Sequence, residues 1–128
     1  TQAVLARLTT PLSGLLMAAA TGALAGVPRP EFSDDVAITV VLASEGYPEA
    51  PITGRPITGL DAVQDVTIAH AATVRTEDAI VATGGRVLSV VATGADFAAA
   101  RAKAYAALQT IGLEGSHYRS DIAAKVAQ

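Results

Sequence analysis

This 128-residue chain has no cysteine or tryptophan, only two phenylalanines and one methionine, and just 16% charged residues. Without cysteine there can be no disulfide, thiolate metal site or cysteine nucleophile, which fits a cytoplasmic setting. With so few large aromatics, the core must be assembled from small and β-branched side chains. There is no block of lysine or arginine and the formal net charge is −3, so an electrostatic footprint for nucleic acid is excluded. Long hydrophobic runs are missing as well. Pro11, Gly14 and Gly22 break the apolar stretch near the start, leaving it well short of the roughly 20 residues a membrane helix needs. No Gly-x-x-x-x-Gly-Lys phosphate loop, Gly-x-Ser-x-Gly elbow or His-Glu-x-x-His zinc motif occurs, and no metal site is legible. The chain has no self-sufficient catalytic apparatus.

What is present is 51% hydrophobic and rich in alanine, enough for one domain. Leu12, Leu15, Leu16 and Ala19 recur at helical spacing, with Thr10 as the expected N-cap, Pro11 at the first position and Gly22 as the stop. That helix leaves an apolar stripe in want of a partner surface. The same region, from Arg7 to Ala25, also mimics a secretory signal peptide. Val27-Pro28-Arg29-Pro30 makes a stiff connector and the best boundary in the chain. Residues 36–43 alternate as a strand whose second face is small and expected to be covered, and residues 66–71 form another. Between them lies a turn-rich excursion with short strands expected near Ile52 and Ile57. Gly84-Gly85, set between apolar runs at 79–82 and 87–92, reads as a two-residue hairpin. Asp96 is the expected N-cap of a final helix whose apolar stripe is Phe97, Ala100, Ala104, Leu108 and Ile111, with Arg101 and Lys103 as solvated charges.

Polar groups beside turns are the candidates for chemistry: Tyr47, His70, Arg86, Tyr118 and Arg119. Arg86 leads, because its guanidinium at a strand end offers a planar fork of donors for carboxylate or phosphate; a salt bridge tying down the hairpin is its rival reading. His70 shares the parity of Val66 and Ile68, which favours a hydrogen-bonded core histidine. Tyr47 either packs over its loop or faces a ligand, and Arg119 either serves a site or pairs with Asp121.

Taken in order, Gly46-Tyr47-Pro48, Ile57-Thr58-Gly59-Leu60, His70-Ala71-Ala72-Thr73, Gly84-Gly85-Arg86-Val87-Leu88, Ala102-Lys103-Ala104-Tyr105 and Tyr118-Arg119-Ser120-Asp121-Ile122 resemble the C-terminal domain of the phosphoribosylamine–glycine ligase (glycinamide ribonucleotide synthetase) family. Thr1-Gln2, Arg7-Leu8 and the Leu/Ala helix resemble the end of that family's ATP-grasp domain. Where the family has Gly, this chain has Ala72 and Ala123, and where it has Asn, Thr83.

The resemblance implies an α+β fold: a small β-rich domain of reduced barrel-sandwich hybrid type with a packed helix, preceded by the last helix of an ATP-grasp domain. Residues 1–26 would end that domain, 27–35 link, and 36–128 form the C-terminal domain. A start at Thr1 rather than Met suggests a processed or truncated product. The activity implied is ATP-dependent joining of glycine to 5-phosphoribosylamine in purine synthesis. ATP and magnesium (or manganese) would be held by sequence outside this chain, and the rest of the polypeptide would be its partner. The isolated chain is expected to be inactive, with no nucleic-acid or membrane partner. Arg86 would bind substrate carboxylate or phosphate, with Tyr47, His70 and the Tyr118-Arg119 tail shaping the same pocket. Two alternatives stand beside this: a stand-alone ligand-binding or regulatory module, and a secreted structural domain.

Overall fold

The computed structural model describes residues 1–127. Its centre is the long strand β6 (Arg86–Gly94), which pairs antiparallel with β1 (Val36–Ala43) on one side and β3 (Thr67–His70) on the other. A second antiparallel sheet runs β2 (Pro56–Ile57), β5 (Ile80–Ala82), β4 (Thr73–Arg75). The helix α3 (Phe97–Thr110) lies across β1 and β6. Among the described residues, no helix is long and apolar enough to cross a membrane. The arrangement is α+β, as expected.

The core follows from strand alternation. Ile38, Val40 and Leu42 of β1 and Leu88, Val90 and Ala92 of β6 are buried on the face that meets Ala100, Ala104, Ala107 and Leu108 of α3. Alanines on the helix permit a close approach, which is how a chain poor in aromatics still fills its interior. Ile57 and Ala82 bring the second sheet into the same core. Asp96 caps α3 as expected, accepting from the Ala99 amide at 2.7 Å. Phe97, expected in the buried stripe, is 37% exposed.

Gly84-Gly85 does not make a hairpin. β5 and β6 belong to different sheets, and neither glycine adopts positive φ, so the chain turns a corner there instead. The glycines serve close approach. A Cβ on Gly84 would collide with Ala72, and one on Gly85 with the Tyr47 ring. The return crossing lies alongside, where the Ala71 and Ala72 amides donate to Val87 and Arg86 carbonyls at 3.0 and 3.1 Å. No strand forms at Ile52. Arg101 is not a solvated charge. It donates to the Ser120 and Ile122 carbonyls at 2.6 and 3.1 Å and sits over the Tyr105 ring, fastening the tail to α3. In that tail Ala123 holds φ 57, a left-handed conformation better suited to the glycine of the resembling family.

At the start, α1 (Gln2–Leu5) packs on the other face of β1 and β6, so that face is partly covered. Arg7 donates twice to the Ser33 carbonyl, and Leu8 bridges to Phe32. The helix α2 (Leu12–Ala20) begins one residue later than the Thr10 cap implies. Thr10 is drawn away to accept from the Glu31 amide at 2.8 Å. Leu16 and Met17 on α2 are 60% and 65% exposed, and Leu24 beyond it is 53% exposed.

Candidate functional site

A β-bulge aims the leading candidate. Leu42 stands opposite Leu88 but Ala43 opposite Arg86, so Val87 is the extra residue of β6. Val87 and Leu88 are both fully buried, and the alternation resets so that Arg86 emerges on the face shared by Ser89. There it lines a cavity of about 580 Å³ with Gln2, Thr39, Val41, Tyr47 and Ala71–Ala72. Among the described residues, the Arg86 guanidinium makes no hydrogen bond or ion pair, so the hairpin salt bridge does not form. Its donors remain available.

Tyr47 lines the same cavity beside Arg86. Its ring rests against Gly85, and its loop is bolted to the same glycines by Ser44, whose amide donates to the Gly85 carbonyl and whose hydroxyl donates to that of Gly84, each at 2.8 Å. Only glycine at 85 leaves room for that ring. Two hydroxyl-bearing positions that were not candidates also line the cavity: Thr39, on the β1 face expected to be small and covered, and Ser89 of β6. The Thr39 hydroxyl is buried without a hydrogen-bond partner, and Ser89 is 7% exposed. Because the Thr39 oxygen is closed to solvent, it offers the cavity no donor, and the cost of leaving it unpaired falls on the fold. The alternation of polar Thr39 and Ser89 with apolar neighbours was the available signal.

The other candidates lie elsewhere. His70 is exposed rather than buried, its Nδ1 3.0 Å from the Thr73 hydroxyl. It has the parity of Ile68, but it ends the edge strand β3, past the area α3 covers. Although Ala71–Ala72 next to it line the cavity, His70 itself does not. Tyr118 and Arg119 do not shape this pocket either. Tyr118 packs its ring 6.0 Å from that of Tyr105 on α3, and the Arg119 carbonyl accepts from the Tyr105 hydroxyl at 2.6 Å. The Arg119 side chain pairs with Asp121 through two hydrogen bonds of 2.8 and 2.7 Å, the structural reading of that pair. This contact lowers the Asp121 pKa from its ordinary value, chiefly through the hydrogen bond from Arg119.

The cavity lining holds no carboxylate, and among the described residues no group of three or more metal-ligating side chains gathers anywhere. These residues therefore do not make a magnesium site. What the lining offers is a guanidinium with no partner among the described residues, beside a tyrosine ring and the Ser89 hydroxyl.

Residues 37–125 match the family described as "Phosphoribosylglycinamide synthetase, C domain". The chain is 65% identical to a phosphoribosylamine–glycine ligase of Leifsonia xyli over 98% of its own length and 31% of the relative's. It is 59% identical to a ligase of the same name from Streptomyces coelicolor, covering 99% of this chain and 32% of that one. The crystal structure of phosphoribosylamine–glycine ligase from Thermotoga maritima superposes with a TM-score of 0.66 at 33% identity, over 83% of this chain and 27% of that structure. The chain thus spans about a third of the length of these relatives.

Proposed function

This chain belongs to the phosphoribosylglycinamide synthetase C-domain family, and on that premise we propose that it is the C-terminal part of a cytoplasmic, ATP-dependent ligase joining glycine to 5-phosphoribosylamine in purine synthesis. The observation that carries the reading is the cavity in which the unpaired Arg86 lies beside Tyr47, in a chain 65% identical to a ligase three times its length. Residues 36–128 are then the C-terminal domain, 27–35 the linker, and 1–26 the end of the ATP-grasp domain. Gln2 lines the cavity, so sequence joined ahead of Thr1 would arrive at its rim. The exposed Leu16 and Met17 would be covered by that same upstream polypeptide.

Within this scheme Arg86 binds the carboxylate or phosphate of a substrate and fixes its orientation. Tyr47 closes one side, and the Ser89 hydroxyl is the polar group at the floor. ATP with magnesium or manganese would be held by upstream residues and would supply the phosphoryl group that activates the glycine carboxylate. The contribution of this chain is to hold the anion and to keep water from the activated group.

The test is an assay of glycine- and phosphoribosylamine-dependent ATP consumption. The complete polypeptide is expected to be active, and the 128-residue chain alone to be inactive and to bind neither substrate tightly. A complete polypeptide without ligase activity, or tight small-ligand binding by the isolated chain, would overturn the proposal in favour of a stand-alone binding module.

A further inference from the structure

Tyr47 stands on a loop whose two ends are tied by one side chain in addition to the Ser44 contacts and backbone bonds. Glu45 and Arg55, ten residues apart, are joined by a charge-assisted hydrogen bond. The Arg55 guanidinium also donates to the Glu114 carbonyl at 2.7 Å and lies 3.7 Å from the Glu114 carboxylate. Its backbone is fixed too, because the Arg55 carbonyl accepts from Ala82 in β5 at 2.9 Å. The Arg55 side chain is only 22% exposed. Gly115, at φ +66, completes the fit, since a Cβ there would strike both Glu45 and Arg55. Inside the loop only backbone bonds hold the shape, among them Ile52 to the Glu45 carbonyl and Ala50 to that of Gly46, both 2.8 Å. A compact loop with touching ends and no strand or helix of its own depends on the closure of those ends.

We propose that Arg55 is a positioning residue for the cavity: by clamping Glu45 and the Glu114 loop, it fixes the loop that presses the Tyr47 ring onto Gly85 beside Arg86. This rests on the reading of the cavity as a substrate site. Arg55 touches nothing in the cavity and acts through Tyr47. The Arg119–Asp121 pair, similar in chemistry but with side chains 73% and 61% exposed, closes no such loop and is the natural control.

The ring leaves a spectroscopic signature independent of any ligand, because the ring current of a tyrosine packed against Gly85 moves the glycine α-proton resonances away from their ring-free positions in the proton NMR spectrum. In the folded Arg55→Met chain that shift is expected to collapse, and amide exchange across residues 46–53 to accelerate, while β6 amides keep their protection. Arg55→Lys should restore part of the shift, and Arg119→Met should leave it alone. Should Arg55→Met not fold, Glu45→Met removes the acceptor of the same contact with a side chain of similar size. A wild-type Gly85 shift in either folded variant overturns the proposal. In the complete ligase, Arg55→Met is expected to raise the KM of the substrate held by Arg86 on the order of fivefold, with kcat nearly unchanged. An unchanged KM there would overturn the functional half of the proposal. If Gly85 moves in Arg55→Met while Arg86→Met leaves all kinetic constants intact, the clamp stands and the substrate reading of the cavity fails.

Discussion

The two faces of the β1–β6–β3 sheet are built from neighbouring residues on the same strands, yet they have been put to opposite uses. Toward α3 the strands present Ile38, Val40, Leu42, Leu88, Val90 and Ala92, each at most 5% exposed. Away from it they present Thr39, Val41, Ser89 and, through the bulge at Val87, Arg86. One face is filled with methyl groups and closed by alanines. The other borders open space with a guanidinium that has no partner among the described residues. On the proposed reading of the open face, stability and binding are separable, a residue at a time, along a single strand.

The largest expected effect lies on the closed face. Leu88→Ala leaves a void among side chains that cannot fully collapse, and should cost about 2–5 kcal/mol. Thermal or denaturant unfolding of the chain measures this directly, and a loss well below that range would show that the α3 face is loosely packed. The smallest effect is expected from Arg119→Met, which lies on neither surface. It should lower the unfolding midpoint at neutral pH only slightly, as for an exposed pair, and leave the ligase kinetics unchanged. Because the Asp121 pKa is lowered in the folded chain, whatever the pair adds is present above the ordinary aspartate pKa and fades as pH falls through the lowered one. Flat stability of Arg119→Met relative to wild type from neutral to acid pH would show that it adds nothing; a kinetic defect would reassign the tail to the site.

Much of this division could be read from the residues, and the parts that could not have physical reasons. Strict alternation placed β1, and Asp96 with its alanine spacing placed α3, because those signals are local. Gly84-Gly85 misled because a glycine pair signals either positive φ or close packing, and only the neighbouring Ala72 and Tyr47 decide which. His70 misled because parity gives the face of a strand but not where the covering helix ends. Arg86 was legible as a donor beside a turn. Its aim was not, since that depends on a one-residue bulge opposite Ala43. Tyr118 and Arg119 were grouped with it by their chemistry alone, and the hydrogen bonds to Arg101 and Tyr105 that draw the tail to α3 come from residues far off in sequence.

The most direct test of the open face as the substrate wall is kcat/KM of the complete ligase carrying Arg86→Met, measured beside its unfolding midpoint. Loss of a charge-assisted contact worth about 1.5–3 kcal/mol should lower kcat/KM by roughly 10- to 100-fold while the midpoint stays at the wild-type value. Unchanged kinetics for both substrates, or a loss of activity explained by a fallen midpoint, would contradict the account.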